Sequence, residues 1–120
     1  MAQKNIVPVF QCFTNATMGV GTIISPVTSI NYTDNAAVQF NFTGTPVGTF
    51  QVQVSLDFNP QFSNPGNWVP LNLSPTPVAS GSAGSIIIDC NQLGAPWLRV
   101  VYIGTSGSGV LNSFVTAKGV

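Results

Sequence analysis

The residues from Phe50 to Phe58 alternate between apolar and polar side chains without a break. Successive side chains of a β-strand point to opposite faces of its sheet, whereas a helix would scatter the same apolar residues around its circumference. The pattern therefore predicts a strand with one face in a core and the other in water. The predicted core face carries Phe50, Val52, Val54, Leu56 and Phe58, and the opposite face carries Gln51, Gln53, Ser55 and Asp57.

A loop and a second strand follow. Residues 59–67 contain two prolines and a glycine, which interrupt a β-ladder. The chain then returns to a strand-like pattern from Trp68 to Leu73, with Val69, Leu71 and Leu73 on one face and Trp68 and Pro70 on the other. The two strands are predicted to form a β-hairpin with a long loop.

Short runs of β-branched and aromatic residues recur along the rest of the chain, with glycine and proline between them. They predict further strands at residues 6–13, 22–25, 28–32, 37–43, 85–90, 97–104 and 110–118, and Pro8 favours an edge position for the first. Residues 74–84, rich in Pro, Gly and Ser, are predicted to form an exposed loop. About eight strands with regular turn signals and no helix predict an all-β, single-domain antiparallel β-sandwich, jelly-roll-like, over residues 1–120.

The chain carries very little charge. Charged residues make up 5% of it, and their net charge is zero, whereas about a quarter of an ordinary soluble domain is charged. So few charges give little protection against self-association. Either the many Asn, Gln, Ser and Thr residues keep the surface soluble, or much of the surface is covered by copies of the protein or by a partner. The second interpretation is favoured, since neutral β-surfaces suit permanent assemblies.

The sequence shows no membrane or export signal. No apolar run approaches the ~20 residues that a membrane-spanning helix needs. The first residues lack the apolar core and cleavage site of a secretory signal. We therefore expect synthesis in the cytoplasm without a membrane partner.

Residues usual for catalysis and metal binding are scarce. The chain has no histidine, which removes most metal sites and catalytic triads. Asp34 is expected to cap a turn, Asp57 to face solvent and Asp89 to end a strand; a carboxylate pair for acid–base catalysis or calcium binding is the weaker alternative. Three scattered cations cannot form the basic stripe that nucleic acid requires. We expect no enzyme activity, no cofactor, no metal and no nucleic-acid partner.

Two cysteines and one arginine lie in predicted strands. Cys12 and Cys90 are too few for a disulfide framework and are expected to be small buried side chains, with a bridge between them as the less favoured alternative. Arg99 stands in an otherwise apolar strand, where we expect it to pair with the carboxylate of Asp57 or Asp89.

The aromatic residues admit two interpretations, a sugar-stacking platform or a core, and in sandwich strands the core is the commoner role. The residues concerned are Trp68, Trp97, Tyr32, Tyr102 and Phe62. Phe62 is the exception, because it lies in a proline-flanked loop where nothing local buries it. The predicted partner contacts are Phe62, Asn64 and Trp68.

Several segments carry a family resemblance. Residues 55–59 (SLDFN), followed by a loop and residues 68–71 (WVPL), resemble a hairpin of many virion sandwich proteins. More specific are Ile88-Asp89, QLGAPWLRVVY at 92–102, TSGSGVL at 105–111 and AKG at 117–119. Together they resemble small structural proteins encoded among the head and tail genes of tailed bacteriophages, over residues 48–120.

The resemblance implies a non-enzymatic virion protein and transfers no functional residues. Such proteins are known as capsid decoration or cement proteins, which bind and stabilise the outer shell. The alternative is a tail- or fibre-associated carbohydrate- or receptor-binding module. The implied partners are the major capsid protein and copies of the protein itself, in a homo-oligomer located in the virion.

Overall fold

A computed structural model describes residues 6–30, 33–90 and 95–119. These residues form ten strands and one turn of 3-10 helix, Pro60–Phe62. In chain order the strands are β1 (Ile6–Met18), β2 (Gly21–Ile24), β3 (Thr28–Ser29), β4 (Asn35–Gly44), β5 (Val47–Ser55), β6 (Val69–Pro70), β7 (Val78–Ser80), β8 (Gly84–Cys90), β9 (Trp97–Ser106) and β10 (Gly109–Lys118).

The strands form two antiparallel sheets. The first has the order β1-β10-β4-β8. The second has the order β2-β9-β5-β6, and in it β3 also pairs with β9 and β7 with β5. β2 and β3 both pair with β9, and β6 and β7 both pair with β5. Each of these two sets of short strands takes one position in the sheet, so the ten strands occupy eight positions. The predicted antiparallel sandwich is confirmed, and its strand order is that of a jelly roll.

The core lies between the sheets, and its centre is aromatic. The ring of Phe50 in β5 lies 4.5 Å from that of Phe40 and 5.4 Å from that of Phe42, both in the opposite sheet. Tyr102 of β9 packs against the same ring, with the centroids 5.1 Å apart. All four side chains are buried. The aliphatic part of the core includes Val38, Val52, Leu98, Val100, Leu111 and Val115.

The alternation that predicts β5 holds only as far as Val54, because Ser55, predicted to face water, is 3% exposed. Phe50 and Val52 are buried and Val54 packs against the core, as predicted. Leu56, predicted to face the core, is instead 76% exposed. The strand ends because the Ser55 hydroxyl accepts a hydrogen bond from the Phe58 N–H, which turns the chain out of the sheet. Phe58 is half-buried among other aromatic rings rather than in the core.

Three further segments differ from the prediction. β1 continues past residue 13, the predicted end of the first strand, to Met18. Within the predicted loop 74–84, β7 pairs with the start of β5 and buries Ala79. The second strand of the hairpin is only Val69–Pro70, although Leu71 and Leu73 still pack against the core. Tyr32, and residues 91–94 between the predicted strands 85–90 and 97–104, lie outside the described residues.

Cys12 and Cys90 are buried and free, as the sequence indicates. Burial raises the pKa of both thiols. Over the part of the chain that the structure describes, no helix is long and apolar enough to span a membrane.

Candidate partner-binding surface

The connection from β5 to β6, residues 56–68, is a loop with its own internal structure. The side chain of Asn59 accepts hydrogen bonds from the N–H groups of Gln61 and Phe62, at 3.1 and 3.3 Å, and so caps the helical turn Pro60–Phe62. Proline at the start of such a turn is favoured, since its missing N–H would have no partner there. Ser63 ends the turn in the left-handed conformation.

Asn64 closes the loop from inside. Its main chain and that of Asn59 exchange two hydrogen bonds, of 3.0 and 2.8 Å. Its side-chain amide donates to the carbonyl of Asp57, and its side-chain oxygen accepts from the N–H of Gly66, both at 2.9 Å. Asn64 is exposed, but both ends of its amide are engaged within the loop. This predicted contact residue therefore shapes the loop.

Asp57 fixes the far end of the loop. Its carboxylate accepts hydrogen bonds from the main-chain and side-chain N–H groups of Asn67, at 2.8 and 2.7 Å, and from the Ser55 hydroxyl at 2.9 Å. These hydrogen bonds favour the charged form and so lower the pKa of Asp57. The bonds from Asn67 have the larger effect and the bond from Ser55 the smaller one. Asp57 is exposed, as predicted, but it lies in this loop and not on a strand face.

The hydrogen-bonded loop and the strand that follows it expose apolar side chains. Phe62 is 77% exposed, Leu56 76% and Val69, at the start of β6, 61%. Leu56 and Val69 share a shallow depression whose lining, with Val54 and Ala95, is almost wholly apolar. We call Leu56, Phe62 and Val69 the apolar loop surface. Exposed apolar side chains held on one ordered loop are typical of a protein-binding site.

An aromatic cluster lies at the base of the loop. The ring of Phe58 lies 5.6 Å from Trp68 and 5.0 Å from Trp97, between centroids. The Arg99 guanidinium carbon lies 4.5 Å from the centroid of the Trp68 ring, in cation–π contact. The indole N–H of Trp68 donates to the Pro65 carbonyl at 2.9 Å. Trp68 is half-buried and anchors the loop to the sheet.

Arg99 does not follow the prediction of a carboxylate partner. Its Nε donates to the side-chain oxygen of Gln53 at 2.8 Å, and the Gln53 amide donates in turn to Gln51 at 2.9 Å. The register of β5 and β9 places Gln53 directly opposite Arg99. Asp57 is occupied by Asn67 and Ser55 instead. Partial burial lowers the pKa of Arg99.

The three predicted contact residues thus lie in one loop with different roles. Phe62 projects into solvent, whereas Asn64 and Trp68 hold the loop together. Sequence reasoning missed Leu56 and Val69, because it placed both on strand faces. The signal for Leu56 was the Ser55–Asp57 pair around it, since short polar side chains of this kind favour turns over strands.

Two other kinds of site were considered from the sequence, a sugar-stacking platform and a metal site. Tyr102, a candidate for sugar stacking, is 1% exposed and belongs to the core. Within residues 6–30, 33–90 and 95–119, no three metal-ligating side chains come together.

The fold and this surface define a small jelly-roll domain with a hydrogen-bonded loop that exposes apolar side chains. Comparison of the sequence with protein-family models and with curated proteins finds no match. Among solved structures, the chain is similar to the SPBc2 prophage-derived protein YomS, with a TM-score of 0.59 and 10% identity over 97% of this chain and 96% of that one. It is also similar to a chain of infectious bursal disease virus, Gx strain, with a TM-score of 0.60 and 7% identity. That match covers 98% of this chain and 32% of the viral chain. At these identities the similarity shows the fold.

Proposed function

We propose that this protein is a non-enzymatic structural protein of a bacteriophage virion, which binds the outside of the capsid as a decoration or cement protein. Its partners are the major capsid protein and further copies of itself.

The apolar loop surface carries this proposal. Leu56 and Phe62 stand exposed on a loop whose polar groups are largely used to hold its own shape, and Val69 is exposed next to its end, in β6. A preorganised loop loses little conformational entropy on binding, so most of the gain from burying its apolar area is kept. The one charged residue of the loop, Asp57, keeps its charge, but its carboxylate oxygens accept hydrogen bonds from Asn67 within the loop. Such a surface suits a permanent contact in a charge-poor lattice.

Two further observations support a virion protein. The residue patterns over residues 48–120 resemble those of phage structural proteins. The same fold occurs in a prophage-derived protein and in infectious bursal disease virus.

A tail- or fibre-associated carbohydrate-binding module is the alternative, and the geometry of the aromatic residues favours it less. One face of Trp68 already carries Arg99, and Trp97 packs edge-on against Phe58. Sugar stacking needs a free aromatic face. A glycan array tests the alternative: reproducible binding that Trp68→Ala abolishes, with the fold intact, would favour it over decoration.

Binding to purified capsids tests the proposal directly. We expect Phe62→Ser to weaken co-sedimentation of the protein with shells of the phage that encodes it. Val20→Ser is the matched control, since Val20 is 80% exposed on the turn between β1 and β2. Equal binding by both variants would contradict a role for the loop.

Mass spectrometry of purified virions gives the second test. A copy number that scales with the major capsid protein supports decoration. A few copies per particle would assign the protein to the tail, and absence from the particle would end the proposal.

A further inference from the structure

The edges of the two sheets differ in how well they could accept another strand. β1, at one edge of the first sheet, is irregular: its pairing with β10 shifts register three times, Asn15 has a positive φ of 49°, and Pro8 lacks an N–H. In the second sheet the edges are short pieces, four and two residues in β2 and β3, and two and three in β6 and β7. Bulges, prolines and short strands are the usual protection against edge pairing.

β8, the other edge of the first sheet, has none of these protections. All seven of its residues, Gly84–Cys90, pair with β4 in one unbroken register. It contains no proline, and Asp89 is its single charged residue. Within the described part of the chain β8 pairs with β4 alone, so its outer N–H and C=O groups form a regular ladder without a strand partner.

The side chains of β8 are also incompletely covered. Ile86 and Ile88 face the core but are only half-buried, whereas Phe40 and Val38, their direct neighbours on β4, are fully buried. On the outer face Ile87 is 65% exposed. A further strand beside β8 would cover all three isoleucines.

We propose that a second copy of this chain supplies that strand, in an antiparallel β8–β8 pair about a two-fold axis at Ile87. The inference deepens the self-association in the proposed function, on which it rests. The pair would join the two first sheets into one continuous sheet.

The sequence of β8 selects this register. Residues directly opposite each other in an antiparallel pair must share a sheet face, so the axis has to pass through a residue. Centred on Ile87, the pair places Ile87 opposite its copy, Ile86 opposite Ile88, and the Ser85 hydroxyl opposite the Asp89 carboxylate. The hydroxyl can donate a charge-assisted hydrogen bond to that carboxylate.

The neighbouring registers match poorly. An axis at Ile88 places the Asp89 carboxylate opposite Ile87, and an axis at Ile86 places Gly84 opposite Ile88. Either one sets unlike groups against each other on one face, so the Ile87 register is the complementary one.

Light scattering of the purified protein is the first test. We expect a dimer for the wild type and a monomer for Ile87→Lys, because the axis would bring two lysines together. Val9→Lys is the control and should remain dimeric, since Val9 is 68% exposed but belongs to β1, the protected edge. A monomeric wild type at all concentrations, or an Ile87→Lys dimer, would overturn the proposal.

Oxidative cross-linking tests the register without relying on a disruptive variant. A mixture of Ser85→Cys and Asp89→Cys proteins should form disulfide-linked dimers, and so should Ile87→Cys alone. Ser85→Cys alone should not, since opposite Cβ atoms lie about 5 Å apart only at matched positions. A dimer that gives no such cross-links would use another surface, and the proposal would fail. Both tests use free protein, so they can fail while capsid binding succeeds, and the reverse also holds.

Discussion

The carboxylate of Asp57 accepts hydrogen bonds from both the main-chain and the side-chain N–H of Asn67, at 2.8 and 2.7 Å. These two bonds tie the beginning of the loop to its end. The loop therefore keeps its shape without burying its own apolar residues, and Phe62 remains in solvent.

The shape of the loop should depend on pH. Because the folded pKa of Asp57 is lowered, its stabilisation is complete above its unfolded pKa of about 4 and is lost as pH falls through the lower folded value. As the pH is lowered below about 4, we expect the Asn67 amide resonance to shift. We also expect the hydrogen exchange of this amide to accelerate relative to its intrinsic rate at the same pH. Asp57→Asn should show faster exchange at neutral pH, and Asp89→Asn should not. An Asn67 amide unaffected by acid would contradict this role.

Truncation to alanine should lower the stability of the protein at one leucine and leave it almost unchanged at another. Leu98→Ala removes a fully buried side chain and should cost about 2–5 kcal/mol of unfolding free energy. Leu56→Ala removes a side chain that is 76% exposed and should change stability by less than about 0.5 kcal/mol. Urea denaturation of both variants measures the difference. A cost above about 2 kcal/mol at Leu56 would mean that this residue faces the core after all.

Gly48 should not tolerate a methyl group. A Cβ there would lie 2.3 Å from the carbonyl oxygen of Ile103 and 2.7 Å from the Tyr102 hydroxyl, which is buried. We expect Gly48→Ala to cost about 1–3 kcal/mol through overpacking. Gly19→Ala is the control, because a Cβ at Gly19 meets nothing within 4 Å. Equal thermal stability of the two variants would contradict the close approach of β5 and β9.

Capsid binding should depend little on salt. The apolar loop surface carries no free charge, so screening has little to weaken. We expect the Kd to change less than about twofold between low salt and about 1 M salt, where the Debye length is about 3 Å. Sedimentation at both ionic strengths measures it. A steep loss of binding would point to charged contacts elsewhere on the protein.

The sequence predicts those parts of the fold that depend on local pattern. The alternation from Phe50 to Val54 assigns the inner and outer faces of β5, since successive side chains of a strand point to opposite faces of its sheet. The ends of strands depend on other interactions. Leu56 continues the alternation, but the hydrogen bonds of the Ser55 side chain end β5 before it. β7 forms from a proline-rich segment because distant residues of β5 pair with it.

The site was predictable to a similar extent. The exposure of Phe62 follows from its neighbours in the chain, all of them polar, proline or glycine. The hydrogen-bond partner of Arg99 does not follow from neighbouring residues in the chain. Gln53 lies opposite Arg99 only because of the register between β5 and β9. Val69 was assigned with Leu71 and Leu73, yet β6 is too short to carry all three onto one face.

The contrast between the irregular β1 and the regular β8 limits growth. A jelly roll with two well-formed edges in one sheet could add copies without end and polymerise into a filament. With β8 as the one regular edge of its sheet, a symmetric pairing uses up the site in both molecules. In the proposed β8–β8 dimer both copies of β8 would be paired and the irregular β1 edges would remain, so growth of this sheet would end at two copies.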